Sequence, residues 1–389
     1  MKDCSYRIMI VAGEASGDTH AAKLVKAMRE AAPDSAFEFF GAAGPKMRDA
    51  GVEAIVESDH MSITGLPEIA RALPMFLKAF ASLKAAAEIR LPDAVILVDF
   101  PDFNLKLARS LRNSGTKIVY YISPQLWAWR KYRSRTIRKY VDLLITILPF
   151  EKEWYAEQGI TNVEYVGSPL AREVHPESSK EEFCSRHGLD PSKTIVALLP
   201  GSRHKEIVRI LPEMLSAAAL MTERDPGIQF IVALASVRSR SEVDDSITEL
   251  EKAGVRLPET LLTVEGETYD SLNAADAAAV ASGTATLETG IIGTPMAIVY
   301  KASKLNYRLL RPLINVEHFG LINLIAGERV ATELIQDDFT ARKLADELFR
   351  LLDPTVNSEM RGRLQLAVDQ LGQGGASARA AELILEMID

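Results

Sequence analysis

The sequence predicts an α/β protein with two halves, each a parallel β-sheet covered by helices. Two observations lead to this fold class. Short apolar runs alternate with helical patterns along all 389 residues, and the runs are apolar at consecutive positions, as in strands buried on both faces. The composition, 47% hydrophobic and 25% charged, is typical of a globular protein and excludes disordered, collagen-like and coiled-coil chains.

Four apolar runs predict the strands of the first half, at 7–12, 94–98, 117–122 and 143–148. Amphipathic patterns at 19–31 and 105–113 predict helices after the first two of these strands. The composition then becomes polar over 168–194, with three prolines, which indicates a linker. We therefore expect an N-terminal domain over 1–170.

A second series of strands is predicted at 194–199, 229–234, 277–281 and 297–300. These strands predict a C-terminal domain over 171–350, with a cleft between the two halves. Helical patterns at 340–352 and 377–387 close the chain. We expect the helices of 351–389 to pack back on the N-terminal domain.

Charge, cysteine content and the N-terminal segment limit the function classes. The net charge of −8 argues against nucleic acid as a partner. Cys4 and Cys184 provide neither a disulfide framework nor a metal motif. The first residues lack the features of a secretory signal, and no run reaches about 18 uncharged apolar residues. These features predict a cytoplasmic protein.

The turns after the strands carry the candidate site residues, because ligands bind beyond the carboxyl ends of parallel strands. The first turn contains Glu14, Ser16, Gly17 and Asp18. We expect all four to contact substrate, since glycine permits close backbone approach and a helix start offers free N–H groups. The alternative is that Ser16 or Asp18 only caps the helix.

The turn after the second predicted strand, VDFPDFN, contains Asp99, Asp102 and Asn104. A carboxylate at the carboxyl end of a strand lies where a general base acts. Asp102 has the register of a helix cap and Asp99 does not, so we predict Asp99 as the base. Asp102 and Asn104 are expected substrate contacts.

The third turn, SPQLWAWR, contains Trp127 and Arg130, which we also expect to contact substrate. Arg130 begins a run of six positive charges over 130–139. Such a run is often only a solvated face. In an acidic protein it also suits anionic phosphates or a membrane surface.

Two turns of the second half, LLPGSR and ASGTATLE, predict a site for a nucleoside diphosphate. Backbone amides and a guanidinium suit the diphosphate, and the glutamate of the second turn suits a ribose diol. Neither GxGxxG nor a Walker lysine motif occurs, which argues against dinucleotide-binding and P-loop proteins. The expected nucleotide contacts are Gly201, Ser202, Arg203, Ser282, Gly283, Thr284 and Glu288.

An apolar stripe at helical spacing extends through 66–87. It packs into the core or, as an interfacial helix, faces lipid. The expected membrane contacts are Leu66, Ile69, Leu73, Phe76, Leu77 and Phe80.

Together, these turns resemble those of the lipid-A-disaccharide synthases, a family of GT-B glycosyltransferases. The resemblance extends from about residue 7 to about residue 338 and implies two Rossmann-like, doubly wound domains that face a central cleft. It is carried, in order, by VAGEASGD, GAAGPKM, SITGLPE, VDFPDFN, SPQLWAWR, LPFE, VGSPL, LLPGSR, ASGTATLE and NLIAGERV.

The resemblance implies transfer of 2,3-diacylglucosamine from its UDP derivative to 2,3-diacylglucosamine 1-phosphate (lipid X). The product is the β(1→6) disaccharide 1-phosphate of lipid A biosynthesis, and UDP is released. Asp99 matches the family's catalytic aspartate, and Arg203 and Glu288 match positions on the nucleotide side. Asn323 in NLIAGERV is a further expected nucleotide contact.

The resemblance also implies which partners to expect. No cofactor and no metal are implied, and a homodimer is compatible with the sequence. Peripheral association with the inner membrane is implied, which favours lipid contact for the apolar stripe. Two other classes stay open: another UDP-sugar GT-B enzyme, such as a cell-wall N-acetylglucosaminyltransferase or a UDP-sugar 2-epimerase, and a non-catalytic, nucleotide-regulated lipid-binding protein.

Overall fold

A computed structural model describes residues 5–59, 61, 66–112, 115–235, 238–303, 307 and 316–389, with helix but not side chains over 66–72. The chain divides into two units. The first contains Met1–Pro169 and Gly374–Asp389, and the second contains Leu170–Gln373. Both hold parallel sheets with helices between the strands, which confirms the predicted α/β class.

The first unit is built on seven parallel strands in the spatial order β3-β2-β1-β4-β5-β6-β7. They are β1 Ser5–Ala12, β2 Ala36–Ala43, β3 Glu53–Glu57, β4 Ala94–Val98, β5 Lys117–Tyr121, β6 Leu143–Thr146 and β7 Val163–Tyr165. The side chains of β4, AVILV, are buried at every position, as expected of a central strand covered on both faces. Ala12 of β1 pairs with Val98 of β4, so these two strands end side by side.

Helices cover both faces of this sheet. They are α1 Ala15–Ala31, α2 Pro45–Asp49, α3 Leu66–Arg90, α4 Pro101–Leu111, α5 Ser134–Tyr140 and α6 Glu151–Glu157. Leu24 of α1 lies in the core on one face, and Leu83 of α3 and Leu107 of α4 lie in the core on the other.

The second unit is built on six parallel strands in the order β10-β9-β8-β11-β12-β13. They are β8 Ile195–Leu199, β9 Gln229–Leu234, β10 Leu261–Glu265, β11 Ala277–Ala281, β12 Met296–Tyr300 and β13 Thr332–Ile335. Leu199 of β8 pairs with Val280 of β11, so these two strands also end together. The helices are α7 Leu170–Glu173, α8 Lys180–His187, α9 His204–Arg224, α10 Ser241–Lys252, α11 Thr268–Ala274, α12 Thr284–Ile292, α13 Leu321–Ala326, α14 Ala341–Leu352 and α15 Pro354–Val368.

The C-terminal helices divide differently from the expected 351–389 segment. Helix α15 stays in the second unit, where the Asn357 amide donates to the Asp276 and Leu351 carbonyls at 2.8 Å each. The final helix, α16 (Ala376–Ile388), belongs to the first unit, and its Ile384 is buried in the same cluster as Leu24. Within the described ranges, no helix is both long enough and apolar enough to cross a membrane.

Candidate active site

The strand order of the first unit reverses direction between β1 and β4. Open parallel sheets bind ligands at such a switch point. The turns after β1 and β4 meet here and bring Glu14, Ser16 and Asp99 to one edge of the sheet. Glu14 and Ser16 are exposed. Gly13 permits the close contact of the two turns, because a Cβ there would lie 2.4 Å from the Phe100 ring.

Asp99 has the electrostatic properties of a general base. Burial raises the pKa of its carboxyl to about 6, and the charge of Glu14 contributes, while a hydrogen bond from the Phe100 amide opposes the rise. A carboxylate of this pKa is ionised at neutral pH and accepts a proton more readily than an ordinary aspartate.

Three other predicted substrate contacts of these turns make contacts within the protein. The Asp18 carboxylate accepts hydrogen bonds from the Lys46 amide at 2.9 Å and the Met47 amide at 3.1 Å, at the start of α2. Asn104 is fully buried and donates to the Asp99 carbonyl at 2.8 Å. Gly17 is buried, and a Cβ there would lie 3.5 Å from Ala12.

Asp102 lies in the first turn of α4 and pairs with the basic run. Arg130 Nη1 lies 3.0 Å from its carboxylate, and Arg133 forms a second ion pair with it. The pKa of the Asp102 carboxyl is lowered overall. Burial raises this pKa, but the hydrogen bond from Arg133 and the charges of both arginines lower it by a larger amount. The Arg130 guanidinium also lies over the Trp129 ring, 4.1 Å from its centroid.

Trp127 lies in the turn that follows β5, but its side chain packs inward. Its side chain is buried, and its indole Nε1 donates to Glu151 Oε1 at 3.1 Å. Burial raises the pKa of Glu151 to about 7, and the hydrogen bonds from Trp127 and from the Leu148 amide oppose the rise. Glu151 is the last residue of the LPFE motif, but the sequence analysis gave it no role.

The second unit has its own switch point, between β8 and β11. An open cavity of about 330 Å³ lies at their carboxyl ends. It brings together seven of the eight predicted nucleotide contacts: Gly201, Ser202, Arg203, Ser282, Gly283, Thr284 and Glu288. The volume and the polar backbone of the two turns suit a nucleotide.

Glu206, which the sequence analysis missed, organises the first turn of this cavity. Its Oε2 accepts from the Ser202 amide at 3.1 Å and the Arg203 amide at 3.2 Å. Its Oε1 accepts from the Arg203 guanidinium at 3.0 Å. The carboxylate thus occupies two of the donors that were predicted to hold a diphosphate, the Ser202 amide and the Arg203 guanidinium. A glutamate three residues into a helix is the sequence signal of this capping arrangement.

Glu288 and Asn323 have different environments. Burial raises the pKa of the Glu288 carboxyl. Asn323 is fully buried, and both ends of its amide are used: it bonds the Ala331 backbone twice at 2.8 Å and Glu333 at 2.9 Å. Asn323 therefore holds the segment between α13 and β13.

The predicted membrane contacts of α3 fall into two groups. Leu73 and Leu77 are 54% and 62% exposed. Phe76 and Phe80 are half-buried, and their ring centroids lie 6.5 Å and 5.8 Å from that of Phe103 in α4. These two phenylalanines therefore pack on the protein itself. The side chains of Leu66 and Ile69 lie outside the described residues.

Comparison with solved structures defines the class of protein. The chain matches a putative UDP-N-acetylglucosamine 2-epimerase from Listeria monocytogenes with a TM-score of 0.66 and 15% identity, over 99% of this chain and 97% of that one. It matches the calicheamicin glycosyltransferase CalG4 with a TM-score of 0.59 and 14% identity, over 100% and 98%. The fold is therefore GT-B, the two-domain α/β fold of glycosyltransferases and UDP-sugar epimerases.

Sequence comparison defines the family. A family model described as Lipid-A-disaccharide synthetase matches residues 8–387. The lipid-A-disaccharide synthase of Geobacter metallireducens is 44% identical over 384 residues, which cover 98% of this chain and 97% of that protein. The chain belongs to the lipid-A-disaccharide synthase family and is a glycosyltransferase of lipid A biosynthesis, which confirms the resemblance seen in the sequence.

Proposed function

We propose that the chain transfers 2,3-diacylglucosamine from its UDP derivative to the 6-hydroxyl of 2,3-diacylglucosamine 1-phosphate, with Asp99 as the base. The observation that carries this proposal is the partly buried Asp99 carboxylate at the switch point of the first unit, with a pKa of about 6. The family supplies the class of substrates.

The reaction is a single displacement with inversion. Asp99 takes the proton of the acceptor hydroxyl, whose oxygen forms a bond to the anomeric carbon of the donor sugar. The bond from that carbon to the diphosphate oxygen breaks, and UDP leaves with the electron pair. Activity therefore requires ionised Asp99, so kcat/KM falls as the pH drops below about 6.

The cavity of the second unit binds the UDP part of the donor. The amides of Ser202 and Arg203 and the Arg203 guanidinium hold the diphosphate and stabilise its charge as it leaves. The diphosphate must first replace the Glu206 carboxylate at these donors. Glu288 accepts hydrogen bonds from the ribose hydroxyls, and Ser282, Gly283 and Thr284 line the same cavity.

A thermodynamic cycle between Glu288 and the ribose tests this nucleotide site. Charge-assisted hydrogen bonds exceed neutral ones by about 1 kcal/mol, so Glu288→Gln is expected to weaken UDP binding by roughly fivefold. Wild type should also bind 2′-deoxy-UDP less tightly than UDP, and this preference should be smaller in Glu288→Gln. If calorimetry shows the same preference for UDP over 2′-deoxy-UDP in wild type and in Glu288→Gln, the assignment of Glu288 to the ribose is contradicted.

We also propose that the first unit associates peripherally with the cytoplasmic side of the inner membrane through Leu73, Leu77 and the basic run. Trp129 and Tyr132, 45% and 65% exposed, add aromatic surface beside the arginines. Helix α4 contacts both parts of this surface. Its Phe103 packs on α3, and its Asp102 pairs with Arg130 of the basic run. Apolar side chains next to basic ones are typical of interfacial binding.

Vesicle sedimentation tests the membrane proposal. Replacing both Leu73 and Leu77 with glutamine removes two apolar side chains, each contributing about 1.5–3 kcal/mol when fully buried, so binding to vesicles with anionic phospholipid is expected to fall at least about tenfold. Leu366→Gln is the matched control, since Leu366 in α15 is 68% exposed. Equal losses in both variants, or none in either, would contradict the proposal.

A further inference from the structure

We propose that Tyr120 is a positioning residue for the reaction: its hydroxyl, together with the Asn104 amide, fixes the peptide group that orients the Asp99 carboxylate. This inference rests on the proposed role of Asp99 as the base. It assigns a role to a strand residue that no turn motif contains.

The turn that carries Asp99 has an unfavourable backbone conformation. Asp99 has a φ of +45° and Phe100 a φ of +50°. Two consecutive non-glycine residues in the left-handed region are disfavoured, because each Cβ crowds the neighbouring carbonyl oxygen. Such a conformation persists only where the surroundings hold it in place.

Two buried side chains hold the Asp99 carbonyl. The Tyr120 hydroxyl donates to it at 2.6 Å, and Asn104 Nδ2 donates to it at 2.8 Å. Both residues are fully buried. Burial raises the pKa of the Tyr120 phenol well above its ordinary value, and the charge of Asp99 adds to the rise. The phenol therefore remains a donor throughout the pH range of an activity assay.

The held carbonyl determines the surroundings of the carboxylate. The carbonyl of Asp99 and the N–H of Phe100 belong to one planar peptide group, so fixing one fixes the other. The Phe100 N–H lowers the pKa of the Asp99 carboxyl. Tyr120 and Asn104 thus fix the peptide group whose N–H favours the ionised base, and with it the backbone from which the Asp99 side chain extends.

Tyr120→Phe removes only the hydroxyl and so tests this role. We expect kcat to fall about 10- to 100-fold, as for small displacements of a reacting group, with KM within about twofold of wild type. The acid limb of the kcat–pH profile should move to higher pH, because the Phe100 N–H stabilises ionised Asp99. Tyr121→Phe is the matched control: Tyr121 is the next residue of β5, fully buried on the opposite face, with its hydroxyl 3.5 Å from Ser377.

Each outcome decides the proposal. If Tyr120→Phe matches Tyr121→Phe in both kcat and acid limb, Tyr120 is merely structural and the inference is overturned. If Tyr120→Phe fails to fold, Asn104→Ser provides the test, because it removes the other donor to the Asp99 carbonyl. The proposal then requires the same fall in kcat with an unchanged KM. Failure of the base assignment is seen separately, as turnover that survives Asp99→Asn.

Discussion

Replacing Asp99 with asparagine is expected to make the protein more stable while removing its activity. The isosteric change preserves an oxygen that can accept the Phe100 N–H, and it eliminates a carboxylate that burial and Glu14 disfavour. Proteins retain residues that lower the free energy of unfolding where the function requires them, and we expect Asp99 to be such a residue.

The size of the effect follows from the pKa of Asp99. One pKa unit corresponds to about 1.4 kcal/mol, so the elevation from 3.8 to about 6 corresponds to about 3 kcal/mol at most. The unfolded chain loses the proton near pH 3.8, whereas the folded protein keeps it until about pH 6. The wild type therefore loses stability relative to the variant as the pH rises through this window, and the full difference is present above it.

Thermal unfolding at pH 5 and pH 8 measures this difference. We expect Asp99→Asn to unfold several degrees above wild type at pH 8 and by a smaller margin at pH 5. Asp102→Asn is the matched control, because its carboxylate has a lowered pKa beside Arg133 and Arg130 and contributes stability in the opposite sense. A variant of Asp99 that is less stable than wild type at pH 8 would refute the reasoning.

Two further substitutions test the roles that the structure gives to charged and aromatic residues. Glu206→Gln replaces the carboxylate that competes with UDP for the Arg203 donors by a neutral amide. Because charge-assisted hydrogen bonds exceed neutral ones by about 1 kcal/mol, UDP is expected to bind about fivefold more tightly. Weaker binding of UDP, measured by calorimetry, would contradict this. Trp127→Phe leaves a buried Glu151 oxygen without its indole donor, so the free energy of unfolding should fall by about 1–3 kcal/mol with the KM for lipid X unchanged. A raised KM for lipid X at wild-type stability would instead support a direct substrate contact.

Apolar periodicity was sufficient to predict where the main strands end, and therefore where ligand-binding turns lie. The runs that became β1, β4, β8 and β11 are the central strands of the two sheets, and central strands have the clearest buried pattern. Both switch points were thus accessible from sequence, whereas β3 and β13 at the sheet edges, with only partly buried patterns, were not predicted.

The roles of individual polar side chains were harder to predict, because their partners are distant in sequence. Asp18 bonds to amides 28 and 29 residues away, and Trp127 to Glu151, 24 residues away. A polar residue in a turn has the same local pattern whether it contacts a ligand or satisfies a backbone group. Phe76 shows the same limit, because helical spacing does not distinguish a face covered by α4 from one that faces lipid.

The most direct test of the central claim is a turnover assay with UDP-2,3-diacylglucosamine and lipid X in detergent micelles, in which UDP and disaccharide are followed together. We expect the two products in equal amounts from wild type and neither from Asp99→Asn, with UDP binding retained by the variant. Release of UDP without disaccharide would contradict the proposed transfer, and undiminished turnover by Asp99→Asn would contradict its proposed base.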